Sequence, residues 1–250
     1  MDEYLSGFIL GLAQGLTEFL PVSSSGHLSL LELLGVGEGS VAFHLCLHLS
    51  TLLAVLVVFR KEVVDLVRHP TSPRARFLLL ATLPTAAAAA IVRYLIPSSP
   101  HYLPTAFIAT TVLLLLPSVF RRPPCDYLGR GWQGRAIVVG LMQGLACFDG
   151  VSRSGATVCA GELVGMGEDA GKNSFLLSVP IIIGSAAAEC LGGGFDALPV
   201  GGTVVGAITA FFTGILAVKG CLEVLKKGKL YLFSIYTFLL AVASFLILFL

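Results

Sequence analysis

The chain has 250 residues, of which 56% are hydrophobic and 12% charged, with a formal net charge of +1. A typical soluble domain carries about 25% charged residues, so this chain lacks the charge to cover a soluble globule of 26.2 kDa. Its mean hydropathy of +0.90 and its long apolar runs indicate an all-α polytopic membrane protein and exclude disorder, collagen, a secreted disulfide scaffold and a nucleic-acid partner.

The chain begins Met1-Asp2-Glu3-Tyr4, acidic where a signal peptide would be basic, so no cleaved signal is expected. The first apolar stretch, 4–35, is interrupted by Pro21-Val22-Ser23-Ser24-Ser25-Gly26-His27. Irregular backbone at membrane depth survives only where it is buried in protein or lines a wet cavity. The stretch is therefore expected to form a re-entrant helix–loop–helix hairpin. Segments 41–59, 75–96 and 103–120 approach the roughly 20 residues of a membrane span. A second broken stretch, 134–166, contains Asp149-Gly150-Val151-Ser152-Arg153-Ser154-Gly155 and is read as another hairpin. Spans are expected at 172–192, 199–219 and 230–250. The cysteines, at 46, 125, 147, 159, 190 and 221, are scattered and read as small apolar packing residues.

Six crossings and two returning hairpins place fourteen of the sixteen Lys and Arg residues on one side. These are Arg60, Lys61, Arg68, Arg74 and Arg76, then Arg121, Arg122, Arg130 and Arg135, then Lys172, Lys219, Lys226, Lys227 and Lys229. The positive-inside rule makes that side cytoplasmic. Both termini, the loop 97–104 and the loop around Asp196 then lie outside, with Arg93 near the outer end of its span.

A shift of 129 residues lays Gly11–Leu28 over Gly140–Thr157 with ten of eighteen positions identical. The same shift brings the spans into register. The chain is thus expected to be a single membrane domain, 1–250, made of two repeats at about 4–120 and 134–250. Each repeat is a hairpin plus three spans. Three is odd, so the halves enter the bilayer from opposite sides, an inverted-topology repeat with a shared site near the midplane.

Each break opens a helix, one from Ser23-Ser24-Ser25-Gly26-His27 and one from Ser152-Arg153-Ser154-Gly155. A helix start carries free N–H groups and roughly half a positive charge. Two starts at one point make an anion site, and glycine lets the backbone come close. Arg153 adds a full charge with a fork suited to phosphate. At membrane depth it requires an anionic partner. An anionic ligand is favoured by the serines beside it, and Glu18 is the alternative. Glu18 and His27 flank the first break: a carboxylate beside an imidazole can orient a general base, bind a divalent cation, or both. Gln14 lies one turn before Glu18. His44 and His48, also one turn apart, are read as packing or polar helix contacts rather than metal ligands. The pairs Gly11/Gly15, Gly140/Gly144, Gly161/Gly165 and Gly202/Gly206, and the run Ala86–Ala90, are read as close helix contacts.

Gln14-x-x-x-Glu18 with Phe19-Leu-Pro-Val-Ser-Ser-Ser-Gly-His27, and Gly150-Val-Ser-Arg-Ser-Gly-Ala-Thr157, resemble the two signature motifs of the undecaprenyl-diphosphate phosphatase family, the bacitracin-resistance type. Ala81-Thr-Leu-Pro84 and Ser174-Phe-Leu-Leu-Ser-Val-Pro180 resemble its later segments. The resemblance implies removal of one phosphate from a C55 polyprenyl diphosphate in the cell membrane, giving inorganic phosphate and the lipid monophosphate used in cell-wall glycan synthesis. It implies catalytic roles for Glu18 and His27, a diphosphate clamp in Arg153, and phosphate contacts from Ser23, Ser24, Ser152, Ser154 and Thr157. Ser24 joins the catalytic set, with the nucleophile left open between a serine, a histidine and water. Gln14, Ser25, Gly26 and Gly155 complete the expected substrate site. The resemblance also implies a divalent cation, magnesium or calcium, with Glu18 as its ligand. Two positions depart from the family pattern: Gln14 stands where a Glu is usual, which weakens a two-carboxylate cation site, and Asp149 stands where Pro is usual. Membrane lipids and the lipid diphosphate are the expected partners, and a homodimer is left open. An inverted-repeat transporter of lipid phosphate or anions, and a non-catalytic lipid-diphosphate-binding paralogue, are the alternative readings.

Overall fold

The computed structural model describes residues 1–37, 39–97, 99–120, 122–192 and 199–250, with only the backbone of residues 191 and 192. The described residues contain helices and no strands. Arg121 and Asp196, both used in the sidedness argument, lie outside the described residues. In chain order the helices are α1 (Glu3–Thr17), α2 (Ser24–Leu33), α3 (Val41–Val58), α4 (Arg60–Arg68), α5 (Pro73–Leu95), α6 (Leu103–Phe120), α7 (Trp132–Leu145), α8 (Arg153–Leu163), α9 (Asp169–Gly192), α10 (Val200–Lys226) and α11 (Tyr231–Phe249). A short 3-10 turn, Pro100–Tyr102, precedes α6.

Six helices, α3, α5, α6, α9, α10 and α11, are long and apolar enough to cross a membrane. α1/α2 and α7/α8 are the two broken segments, each too short to span. Large apolar side chains such as Leu79, Leu83, Ile208, Phe212, Leu216, Phe238 and Leu239 face outward. In water such a surface would aggregate; in a bilayer it meets lipid. The protein is a multi-pass membrane protein.

Two corrections concern helix ends. α10 continues to Lys226, seven residues beyond the expected end of its span. Lys219, Glu223 and Lys226 look like loop residues by charge alone. They ride instead on the continuing helix, with Lys226 Nζ 2.8 Å from Glu223 Oε1 one turn earlier. The basic stretch after α3 is also helical: α4 carries Arg60, Lys61 and Arg68 and buries none of its residues, while Val63 and Leu66 touch the core. This is the pattern of a helix lying at an interface.

Glycine sets the closest helix contacts. α1 runs along α10 with Gly7 against Gly202, Gly11 against Gly206 and Gly15 against Ala210. α7 runs along α5 with Gly140 against Ala81 and Gly144 against Thr85 and Ala88. Lipid tails are as apolar as leucine, so such seams are held by close van der Waals contact that a side chain would prevent. The two seams correspond when Gly11 and Gly140 are matched, but their partners Ala81 and Gly206 lie 125 residues apart. α6 packs along α11, joined by a 2.8 Å hydrogen bond between the hydroxyls of Thr111 and Thr237. Gly165 departs from its expected role: with φ +85° it turns the chain after α8 instead of packing within a helix. All six cysteines are free.

The largest apolar cluster gathers Phe19, Val55, Phe59, Phe77, Phe175 and Leu177. Phe19 meets Phe175 edge-to-face with ring centroids 5.5 Å apart. The first break is thereby fixed against α9.

Candidate active site

Both breaks start their second helix in the same way. Ser23 caps α2, its Oγ accepting from Gly26 N–H at 3.2 Å. Ser152 caps α8, its Oγ accepting from Gly155 N–H at 3.1 Å. A capping serine satisfies one of the free N–H groups at a helix start and leaves the others for a ligand. Ser23 adopts φ 71°, the one non-glycine residue with positive φ among the described residues. Such a conformation costs about 1–3 kcal/mol and persists where its surroundings enforce it.

The two hairpins interlock through their remaining serines. Ser25 Oγ accepts from Gly150 N–H at 3.3 Å. Ser154 Oγ donates to the Leu20 carbonyl at 2.9 Å. Gly150 needs its φ of +88° to make the turn, and a side chain there would strike Ala106 and Leu103. Ser152 N–H donates to Thr110 Oγ1 of α6 at 3.0 Å, which ties the second break to a span.

Glu18 stands at the centre. Its side chain is 2% exposed. Arg153 Nη2 pairs with its Oε1. Ser24 Oγ donates to its Oε2 at 2.6 Å, and Gln14 Nε2 donates to the same oxygen at 3.0 Å. The anionic partner of Arg153 among the described residues is therefore Glu18, the alternative that the serine cluster had disfavoured. Gln14 Oε1 is buried with no hydrogen-bond partner. A charged pair this deep is held by its hydrogen bonds as much as by Coulomb attraction.

The imidazole beside Glu18 is not His27, as the sequence suggested, but His48. His48 Nδ1 lies 3.5 Å from Glu18 Oε2 and 3.0 Å from Gln14 Nε2. The polar helix contact expected of His48 is thus made with the site itself, whereas His44 pairs with Glu32 at 2.7 Å. His27 turns the other way. Its Nδ1 lies 2.6 Å from the Ser23 carbonyl and its Nε2 lies 2.8 Å from the hydroxyl of Tyr236 on α11. The spacing of His44 and His48 signals one helix face without naming a partner, and nothing local marks Tyr236. Thr157 is placed beneath the site: its hydroxyl bonds Ser174 of α9 and the Arg153 carbonyl, so it fastens α8 to α9. Gly26 and Gly155 are buried behind their caps, with Phe107 against Gly26 and Leu114 against Gly155. Asp149 lies in the second turn and is exposed.

A profile described as bacitracin resistance protein BacA matches residues 7–243. The chain belongs to the BacA family. It is similar to proteins named undecaprenyl-diphosphatase along nearly their whole length. The protein of Korarchaeum cryptofilum is 34% identical over 262 residues, covering 96% of this chain and 98% of its own. That of Carboxydothermus hydrogenoformans is 37% identical over 249 residues, covering 94% and 93%. That of Desulfosudis oleivorans is 38% identical over 265 residues, covering 95% and 96%. For a BacA protein, the meeting of Glu18, Ser24 and Arg153 at two interlocked helix starts is the arrangement to be explained chemically.

Proposed function

We propose that this protein hydrolyses undecaprenyl diphosphate to undecaprenyl phosphate and inorganic phosphate in the cell membrane, recycling the lipid carrier of cell-wall glycan synthesis. The observation that carries the reading is the Glu18–Ser24–Arg153 contact at the start of two capped helices. It supplies a hydroxyl aimed at a carboxylate, which is the geometry of an activated nucleophile, next to a guanidinium with a phosphate-matching fork. The names of the relatives support the same substrate.

In this reading the terminal phosphate docks at the free N–H groups of α2 and α8. Arg153 transfers its fork from Glu18 to the phosphoryl oxygens, where it stabilises the charge that builds there. Ser24 Oγ attacks the terminal phosphorus in line. Its proton passes to Glu18, the phosphoanhydride bond breaks, and the lipid monophosphate leaves. Water then attacks the phosphoserine, the bond from phosphorus to Ser24 Oγ breaks as that oxygen takes back the proton from Glu18, and inorganic phosphate leaves; the water's proton passes to His27 Nε2 as the Tyr236 hydroxyl releases that lone pair. Ser23, Ser25, Ser152 and Ser154 hold the helix starts in place, and Gln14 orients Glu18.

A divalent cation, magnesium or calcium, belongs to the reading. Among the described residues no three His, Cys, Asp or Glu side chains converge, so the protein alone builds no closed cage. Glu18 and the unpartnered Oε1 of Gln14 would hold the cation together with substrate oxygens, as one carboxylate plus phosphates commonly do for magnesium. Such a cation neutralises phosphoryl charge.

We further read the fold as two inverted halves, α1–α6 and α7–α11, with both termini outside and the basic loops cytoplasmic. The exchanged glycine seams, α1 on α10 and α7 on α5, support the inversion. The clustering of Lys and Arg supports the sidedness. The test is phosphate release from undecaprenyl and farnesyl diphosphate by purified protein with added magnesium or calcium. Wild type should release phosphate, while Arg153→Ala and His27→Ala should not. No release with either cation overturns the reading.

A further inference from the structure

Tyr236 lies outside both interrupted segments, 209 residues from His27, yet it governs the surroundings of that imidazole. The two rings stack with centroids 5.7 Å apart and planes 11° from parallel. The phenol oxygen is 2.8 Å from Nε2. Phe107 closes the ring from another side, edge-on at 6.1 Å.

The hydrogen bonds assign the proton. Nδ1 is 2.6 Å from the Ser23 carbonyl oxygen. A carbonyl can only accept, so Nδ1 carries the proton. In the neutral ring Nε2 then has the lone pair, and the phenol must donate to it. Ser23 presents that carbonyl from its left-handed backbone, φ 71°, a strain retained only where the surroundings enforce it. On the other side, α11 is anchored next to the tyrosine: Thr237 bonds Thr111 of α6 at 2.8 Å. The ring plane, the tautomer and the direction of Nε2 are thus fixed by two elements that share no motif.

A membrane-facing tyrosine commonly sits at the headgroup level with its hydroxyl in water. Tyr236 is exposed on the apolar helix α11 and directs its hydroxyl to His27 instead. Resting on the phosphatase reading above, we propose that Tyr236 is a positioning residue for His27. Its hydroxyl and ring hold the imidazole in the Nδ1–H tautomer with Nε2 unprotonated, and the phenol gives up that lone pair when Nε2 takes a proton in the reaction.

Tyr236→Phe keeps the ring and removes the hydroxyl. It should lower kcat on the order of 10-fold, a part of the roughly 10²–10⁴-fold that general acid–base catalysis supplies, and leave KM little changed. A second readout does not depend on turnover. In protein labelled with 15N-histidine, the signal lost in His27→Gln should report a proton on Nδ1 and a bare Nε2. That Nε2 resonance should move in Tyr236→Phe. An unchanged kcat, a proton found on Nε2 in the wild type, or an Nε2 resonance unmoved by Tyr236→Phe overturns the proposal. A wild type that shows the tautomer and the resonance shift yet releases no phosphate upholds the positioning geometry and overturns the phosphatase reading.

Discussion

Arg153, the first residue of α8, pairs with Glu18, the residue that ends α1, across 135 positions of sequence. Each is the other's countercharge, and the Glu18 carboxylate is almost fully buried. Arg153→Ala should therefore cost stability as well as activity, about 3–5 kcal/mol by thermal unfolding in detergent, because a buried carboxylate is left unpaired. Arg153→Met combined with Glu18→Gln should recover most of that stability and none of the phosphate release. A double variant as unstable as Arg153→Ala would show that the pair does not set the fold.

Gln14→Glu should reverse the sign of one contact. The amide now donates to Glu18 Oε2 at 3.0 Å; a carboxylate there can only accept. Without divalent cation the variant should lose about 1–3 kcal/mol. Magnesium or calcium should restore it, and the concentration for half-maximal phosphate release should fall about 10-fold, since a second carboxylate strengthens a hard-cation site. Equal cation dependence in wild type and variant would remove Glu18 and Gln14 as the ligand pair.

Gly11→Ala and Gly140→Ala should each destabilise by about 1–3 kcal/mol through overpacking, because the added Cβ meets the backbone of Gly206 or Ala81. Gly134→Ala and Gly220→Ala meet nothing within 4 Å and should change stability by less than about 0.5 kcal/mol. Unfolding midpoints of the four variants, measured in the same detergent, check the contrast.

Cys125 is exposed in the segment between α6 and α7, among the basic residues assigned to the cytoplasm. In a variant that keeps only this cysteine, a membrane-impermeant maleimide should label inside-out vesicles and leave right-side-out vesicles unlabelled. The opposite pattern would invert the proposed orientation.

The six spans are legible in sequence because each is an unbroken apolar run, and the two interruptions stand out because Ser, Gly and Pro are costly at that depth. Ser23 and Ser152 are recognisable as helix starts for the same reason. What charge obscured is the end of α10, where Lys219 and Lys226 suggest a loop although the helix continues to Lys226. Within the site, Glu18, Ser24 and Arg153 are recognisable as residue types. The partners of the histidines are not. His48 reaches Glu18 only because α3 packs beside α1. Tyr236 reaches His27 only because α11 packs beside α6, and a tyrosine on an apolar helix carries no local mark of such a contact. Chain reversal in space, not pattern along the chain, selects these partners.

The crossed serine contacts have a mechanical consequence. Ser25 receives the backbone of the second hairpin and Ser154 reaches the backbone of the first, so each hairpin latches the other. Rocking one half of the protein against the other would break both latches in every cycle, along with the Arg153–Glu18 pair. A lipid whose headgroup slips in from the side draws Arg153 away from Glu18 and leaves both serine latches closed. Joined in this way, the two hairpins act as a fixed anvil rather than a hinge.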